Sequence, residues 1–507
     1  MSARLCCLLL VIIGAGAYAN SLGGPFVFDD VAGIEQNHSI RDLAGALVPA
    51  DQQATAGRPV VNFSLALNYA IHGLHVRGYH LVNVAIHVLA ALVLFDIVRL
   101  TLSRRPLDES FAAVANPLAF AVALLWLVHP IQTECVDYLS LRNESLMGLF
   151  FLLTLDTAIR SNGADRASRS GWAMVSVLCC GLGMASKEVM VAAPIMVIAY
   201  DWSFRSATSD AWMEVLRRRH RLYLGLAATW MILVLLGWGG VRADSTGFAH
   251  GVGPVAWALV QCRMVLHYFA LSVWPHPLTF DYGEFTPVAF AELAPWVMAM
   301  GVILVGTAIL VVRRPRIGFP LAWCFVILAP SSSILPLVSE VGAERRMYLP
   351  LAGLVALAVV GGYAMIKRVI RRLEPRHALA GWVIALCLVA VPLFVLTVRR
   401  NTQYASRVGI WQSAIDVLPD NARAHVNLAN ALRNDLGELG RAEQHYRLAL
   451  RLQPHNALAH TNLGSVLAIT GRLDEAVDEF NRALDIDPGL DQARLYLAVA
   501  ERDRIGE

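Results

Sequence analysis

Asp29 and Asp30 stand side by side in Phe26-Val-Phe-Asp-Asp-Val31, just past the first apolar segment of the chain. Like charges this close disfavour joint ionisation, and partial burial raises a carboxyl pKa further; both effects suit a general base. Apolar neighbours on both sides place the pair near a membrane interface rather than in open solvent. Taken alone, an acidic pair in a loop is more often simply solvated. The company it keeps turns the reading.

Cations recur beside apolar runs. Lys187 is one of two lysines in a chain whose other basic residues are arginine, and it adjoins Glu188. Glu344-Arg345-Arg346, followed by Tyr348, opens an apolar run, and Arg58 precedes Pro59. Guanidinium forks suit phosphate oxygens, so Arg345 and Arg346, with Lys187 and Arg58, are the candidate phosphate ligands. His80, Asn83 and His87 fall at i, i+3 and i+7 on one helix face. Interhelical hydrogen bonding is their expected role, with metal ligation the alternative. His129-Pro-Ile-Gln-Thr-Glu134 closes one apolar run and Arg142-Asn-Glu144 opens the next. Gln132 and Thr133 read as a capped turn or as part of a site, Arg142 and Glu144 as internal pairing or substrate contacts.

Long apolar elements must position these groups. Hydrophobic residues make up 56% of the 507 and mean hydropathy is +0.52, which excludes a soluble globule and predicts an all-α polytopic membrane domain. The net charge of +3 is spread along the chain, so nucleic acid is not an expected partner. The eight cysteines show no paired metal spacing, and most fall inside apolar runs as small hydrophobes. A Cys135–Cys262 disulfide is conceivable but not expected.

Residues 5–22 form the first apolar segment, read as an uncleaved span although Ala17-Tyr-Ala19 resembles a signal-peptidase site. A long loop, 23–79, follows, with an interfacial helix expected over Val60–His72. Spans are predicted at 80–102, 111–130, 139–159, 171–186, 189–204, 222–240, 291–312, 317–336, 347–366 and 378–398, eleven with the first. The Arg-bearing connections Ser103–Arg105, Arg160–Arg169 and Arg205–Arg221 fall inside when the N-terminus is inside. Segment 255–274 carries Gln261, Arg263 and His267. Laying it and its continuation to 290 on the outer interface keeps Arg313–Arg316 and Lys367–Arg376 inside as well. Asp29-Asp30, His129–Arg142, Ser186–Glu188, Asp281-Tyr282 and Glu340–Arg346 then share the outer face, where ionisable residues at span ends read as a site.

From about 404 the sequence turns polar and repetitive. Pro454 and Pro488 lie 34 residues apart, and Asn427-Leu-Ala-Asn430 aligns with Asn462-Leu-Gly-Ser465. That is the tetratricopeptide period. The expected division is a membrane domain over 1–403 and repeats over 404–507. The latter comprise a half repeat at 404–419, repeats at 421–454 and 455–488, and a capping helix at 489–504.

A carboxylate base at the interface, with cations at the same depth, suits one reaction well. A lipid-phosphate sugar donor keeps its tail in the bilayer while an acceptor hydroxyl arrives from outside. The base takes the hydroxyl proton and the cations stabilise the departing phosphate, with inversion at the anomeric carbon.

Phe28-Asp-Asp30, Arg58-Pro59, Tyr79-His-Leu-Val-Asn83 with His87, His129–Glu134, Ser186-Lys-Glu188 and Glu344–Pro350 run in this order ahead of the repeats. Together they resemble the transmembrane-and-tetratricopeptide O-mannosyltransferases of the GT-C glycosyltransferase superfamily. The resemblance implies a polyprenyl-phosphate sugar donor, mannose as the sugar, and Asp29 or Asp30 as the base. It also implies an extracytoplasmic repeat domain presenting a protein or peptide acceptor. His80, His129, Glu134, Arg142, Glu144, Glu188 and Glu344 become supporting residues, and a divalent cation near Asp29 and Asp30 is a possible cofactor. The Arg-rich, Ala-rich composition suggests a bacterial inner membrane with the site facing the periplasm, or the lumenal face of the endoplasmic reticulum in a eukaryote. Two other readings stay open: an O-oligosaccharide ligase or polymerase, and a non-enzymatic membrane-anchored repeat scaffold.

Overall fold

The chain is described by a computed structural model, which covers residues 1–48, 55–103, 109–162, 166–205, 209–237, 252–334, 336, 338–369 and 375–505. Parts of the Arg-bearing connections (104–105, 163–165, 206–208 and 370–374), loop residues 49–54 and the end of the predicted span 222–240 lie outside the described residues.

The described secondary structure is all helical. The first helices are α1 (Ala3–Ala17), α2 (Pro59–His72), α3 (Val76–Leu102), α4 (Glu109–Ala112), α5 (Ala115–Leu127), α6 (Thr133–Asp137) and α7 (Arg142–Arg160). Next come α8 (Arg166–Met184), α9 (Ala192–Arg205), α10 (Ser209–Ala228), α11 (Trp230–Gly237) and α12 (Pro254–Val273). The apolar series ends with α13 (Phe290–Arg313), α14 (Pro315–Ala329), α15 (Pro350–Val369) and α16 (Pro375–Gln403). Six helices complete the chain: α17 (Arg407–Val417), α18 (Ala422–Leu436), α19 (Leu439–Leu452), α20 (Ala457–Ile469), α21 (Leu473–Ile486) and α22 (Asp491–Ile505).

Among the described residues seven helices are long and apolar enough to cross a membrane, or eight if the bent pair Ala115–Leu127 and Pro130–Asp137 is one span. Only 11% of the α13 window and 6% of the α16 window is buried by protein. Leu, Ile and Val on those faces must therefore meet lipid, and the molecule is a multi-pass membrane protein. Eleven spans are not shown, for local reasons. The helices α9 and α14 have 14 and 15 residues, short of a bilayer crossing. Helix α7 carries Arg142, Glu144, Asp156 and Arg160. Helix α12, expected as a surface segment, meets the length and hydropathy of a span.

The chain divides into two compact units. Unit 1 comprises Met1–His276, Thr286–Val338 and Glu344–Thr402. At its centre α3 packs on α1, α5 and α7, and α15 packs on α5 and α14. Its buried side chains include Trp126, Trp257 and Tyr348. All eight cysteines are free, so Cys135 and Cys262 form no disulfide.

Unit 2 comprises Pro277–Phe285, Ser339–Ala343 and Gln403–Glu507. Its helices pair in sequence, α18 with α19 and α20 with α21, with α22 against α21. Asn421 and Asn456 cap their helices through the backbone N–H groups of Ala424 and Ala459. Small residues sit where paired helices cross: a Cβ on Gly464 would come within 2.7 Å of the Phe480 ring. The two short segments drawn from before residue 403 join through side chains. Arg423 grips the Asp281 carboxylate at 2.5 and 2.7 Å and donates to the Ser339 carbonyl, while Phe280 meets Trp411 edge-on. Asp281, expected among the outer site clusters, is thus held by a repeat arginine, and 340–343 part company with Glu344–Arg346.

Candidate active site

The acidic turn is built by reciprocal bonds. Asp30 N–H donates to Val27 O at 2.9 Å and Val27 N–H to Asp30 Oδ2 at 3.0 Å. Phe28, inside this loop, has φ of +46° and is the one described non-glycine residue with positive φ. A bulky side chain in that region marks strain, which an over-determined surrounding structure must hold. The next turn is wide, Gln36 N–H reaching Val31 O at 2.8 Å.

The two carboxylates are not equivalent. Asp30 is fully buried, and its Oδ1 accepts from both the N–H and the hydroxyl of Ser140 at 2.6 Å. Asp29 is exposed, and its N–H donates to the Tyr138 hydroxyl at 3.1 Å. Burial pushes the Asp30 carboxyl up to about 7, against the opposing pull of the Ser140 and Val27 donors and with a smaller push from Asp29.

The sign of this shift sets a pH dependence. An unfolded Asp releases its proton near 3.9, whereas the folded Asp30 holds it to about 7. Its contribution to stability is present in full below the unfolded value and is lost as pH rises through the folded one. Thermal unfolding in detergent should show a midpoint that falls from pH 5 to pH 8. Asp30→Asn, which cannot titrate, should flatten that slope; equal slopes in both proteins would refute the assignment.

The segment 129–144 is the hub. His129 Nδ1 accepts from Ile131 N–H, and its Nε2 faces Ser272 O at 3.3 Å. Both Glu134 oxygens are taken by Arg345, one by its guanidinium and one by its N–H, each at 2.7 Å. Arg142 is fully buried and fans out to Asn83 Oδ1 at 2.7 Å, Tyr79 O at 3.1 Å and Ser64 O at 3.2 Å. Glu144 pairs with Lys187. Asp29, Asp30 and Arg345 all act electrostatically on the Tyr138 phenol, and Asp30 acts on Arg142. Ser140 and Arg58 line one small cavity of about 20 Å3 with Asn143.

The expected phosphate ligands therefore all carry protein partners. Arg345 has Glu134, Lys187 has Glu144, Arg58 stands 3.9 Å from Glu188, and Arg346 meets Gln261 at 3.3 Å. Glu344 lies 3.8 Å from Arg400. Arg345 and Arg58 keep 18% of their side-chain surface exposed, against 9% for Lys187. His80 faces Gly24 O at 3.1 Å, while His87 joins Tyr348 Oη to Leu127 O. The His80, Asn83 and His87 face thus spends most of its polar groups on hydrogen bonds between elements, with His80 Nδ1 buried and unpaired.

Both Asp30 oxygens already accept protein donors. Among the described residues no group of three His, Cys, Asp or Glu side chains could hold a metal ion.

Ser140 and Tyr138 escaped sequence reading. Each binds the acidic turn from more than a hundred residues away, and a lone hydroxyl carries no spacing signal. Asp137, buried at the end of α6, was likewise passed over.

Membrane-length helices around a strained acidic turn, followed by paired helices of 34-residue period, define a multi-pass membrane protein with a tetratricopeptide domain. The tetratricopeptide repeat family model matches residues 408–457 and 433–491. Along most of its length the chain is similar to proteins named protein O-mannosyl-transferases. It is 26% identical to one from Caenorhabditis elegans, over 88% of this chain and 62% of that protein. TMTC3 of Mus musculus is 24% identical over 97% of this chain and 56% of its own length, and human TMTC1 27% over 89% and 55%. The chain thus spans about three fifths of the length of the curated relatives it matches. Among solved structures, ArnT from Cupriavidus metallidurans matches in its apo state with a TM-score of 0.42 and 16% identity, covering 95% of this chain and 80% of that one.

Proposed function

We propose that this protein moves a mannosyl residue from a polyprenyl-phosphate carrier to a hydroxyl of an extracytoplasmic protein. Asp29 is the general base. The near-full-length similarity to protein O-mannosyl-transferases carries the reading, and the acidic turn supplies its chemistry. A base must touch the proton it removes. Exposed Asp29 can meet an incoming hydroxyl, whereas Asp30 is sealed beneath it by Ser140 and Val27.

In this mechanism the acceptor oxygen bonds to the anomeric carbon as its proton passes to the Asp29 carboxylate. The bond from that carbon to the donor phosphate breaks, and the phosphate leaves with the electron pair, inverting the centre. Arg345 and Arg58, the more exposed of the four cations, take the phosphate. Lys187 and Arg346 brace the wall. The acid pair faces the extracytoplasmic side and the tetratricopeptide repeats present the acceptor. No metal step is included.

The test incubates the purified full chain with polyprenyl-phosphate [3H]mannose and a pool of secreted proteins. Label is expected in protein, O-linked to Ser or Thr, with the anomeric configuration opposite to the donor's. Label passing only into lipid-linked glycan would favour a ligase or polymerase and overturn the proposal.

A further inference from the structure

A void in unit 1 lies well away from the acidic turn. It measures about 400 Å3 and runs between α3, α7, α9, α14 and α15. On α3 its lining begins at Leu94, about 21 Å along the helix from His80 at 1.5 Å per residue. His80 is the residue that anchors the loop carrying Asp29 and Asp30. The void therefore belongs to the opposite end of the bundle.

Apart from Arg316, its wall offers water almost nothing. Thr101 and Tyr200 hydrogen-bond to each other at 2.8 Å, and the Trp323 N–H donates to Leu349 O. Water in such a space would have too few partners, and an empty one would forfeit contacts along the whole wall. Hydrocarbon chains are the material a bilayer supplies at this depth. Among the described residues the lining holds one cation, Arg316, exposed and preceded in sequence by Arg313 and Arg314. A basic group at the rim of an apolar inter-helix pocket is the arrangement that holds an anionic lipid headgroup.

We propose that this cavity is a lipid site, occupied by an acyl chain of an anionic phospholipid whose phosphate rests on Arg316. It is distinct from the donor position, because a polyprenyl phosphate at the acidic turn would carry its phosphate at the other end of α3. The site holds a phospholipid of the opposite leaflet and braces the helices there.

Lipid extraction and mass spectrometry of the full chain, purified in mild detergent, provide the first test. One anionic phospholipid per chain should be retained. Gly361 lines the cavity, and a Cβ placed there meets nothing within 4 Å. Gly361→Trp should therefore fill the space and expel the lipid, and Arg316→Gln should keep the chain while losing the preference for phosphatidylglycerol over phosphatidylcholine. A second measurement needs no cavity-filling variant. Phosphatidylglycerol with brominated chains should quench fluorescence in the wild type more than in Trp323→Phe. Retention unchanged by Gly361→Trp, a polyprenyl phosphate as the retained lipid, or equal quenching with and without Trp323 would each overturn the proposal.

Discussion

Asp29→Asn is expected to lower mannosyl transfer by about 10²–10⁴-fold, the usual contribution of a positioned general base. The loss should fall on kcat. Asn keeps the size of the side chain and its hydrogen-bonding oxygen, so donor binding should be little changed. Because Asp29 is exposed, the unfolding midpoint should stay near that of the wild type. Asp30→Asn should behave differently. One of its two polar atoms becomes a donor facing Val27 N–H or the Ser140 donors, and a donor set against a donor in a buried site is costly. That variant should lose both activity and thermal stability as the Phe28 turn relaxes. The discriminating measurement is the pair of kinetic and unfolding curves for both variants. Full activity in Asp29→Asn, with an inactive but normally stable Asp30→Asn, would move the base to Asp30.

Much of this was legible from residue order. The acidic pair, the apolar segments and the 34-residue repeat are local signals, and short-range rules read them well. What one sequence could not show is which distant group each charge meets. Arg345 and Glu134 lie 211 residues apart and Asp30 and Ser140 110 apart. A cation at a span end therefore reads as standing alone when it already has a carboxylate partner. The same holds for Asp281, whose partner Arg423 is 142 residues away. The count of eleven spans is not shown among the described residues, for another reason. Hydropathy measures an apolar run, whereas a crossing needs unbroken helix, and the helices over the predicted spans 189–204 and 317–336 stop at 14 and 15 residues. Asn83 and His87 bond to neighbouring helices, as their common face suggests, whereas His80 reaches a loop carbonyl; the partners came only with the fold.

Arg142→Ala should be the most damaging change to unit 1. The guanidinium is fully buried and sends its N–H groups to Asn83 Oδ1, Tyr79 O and Ser64 O. It therefore ties α2 and α3 to the first turn of α7, which directly follows Ser140. Alanine would leave these acceptors without their donors beside a guanidinium-sized void. Each buried acceptor left without its donor costs about 1–3 kcal/mol, and three together are a large share of a typical stability of about 5–15 kcal/mol. Lysine would rescue little, since a single ammonium cannot reproduce a planar fork aimed in separate directions. Unfolding in detergent should show a large drop for Arg142→Ala and nearly as large a drop for Arg142→Lys, with activity falling in step. A variant of normal stability that loses only transfer would instead make Arg142 a substrate contact. The expected order places the guanidinium beneath the chemistry. It fixes the segment from which Ser140 holds Asp30, and Asp30 in turn holds the turn on which Asp29 meets its substrate.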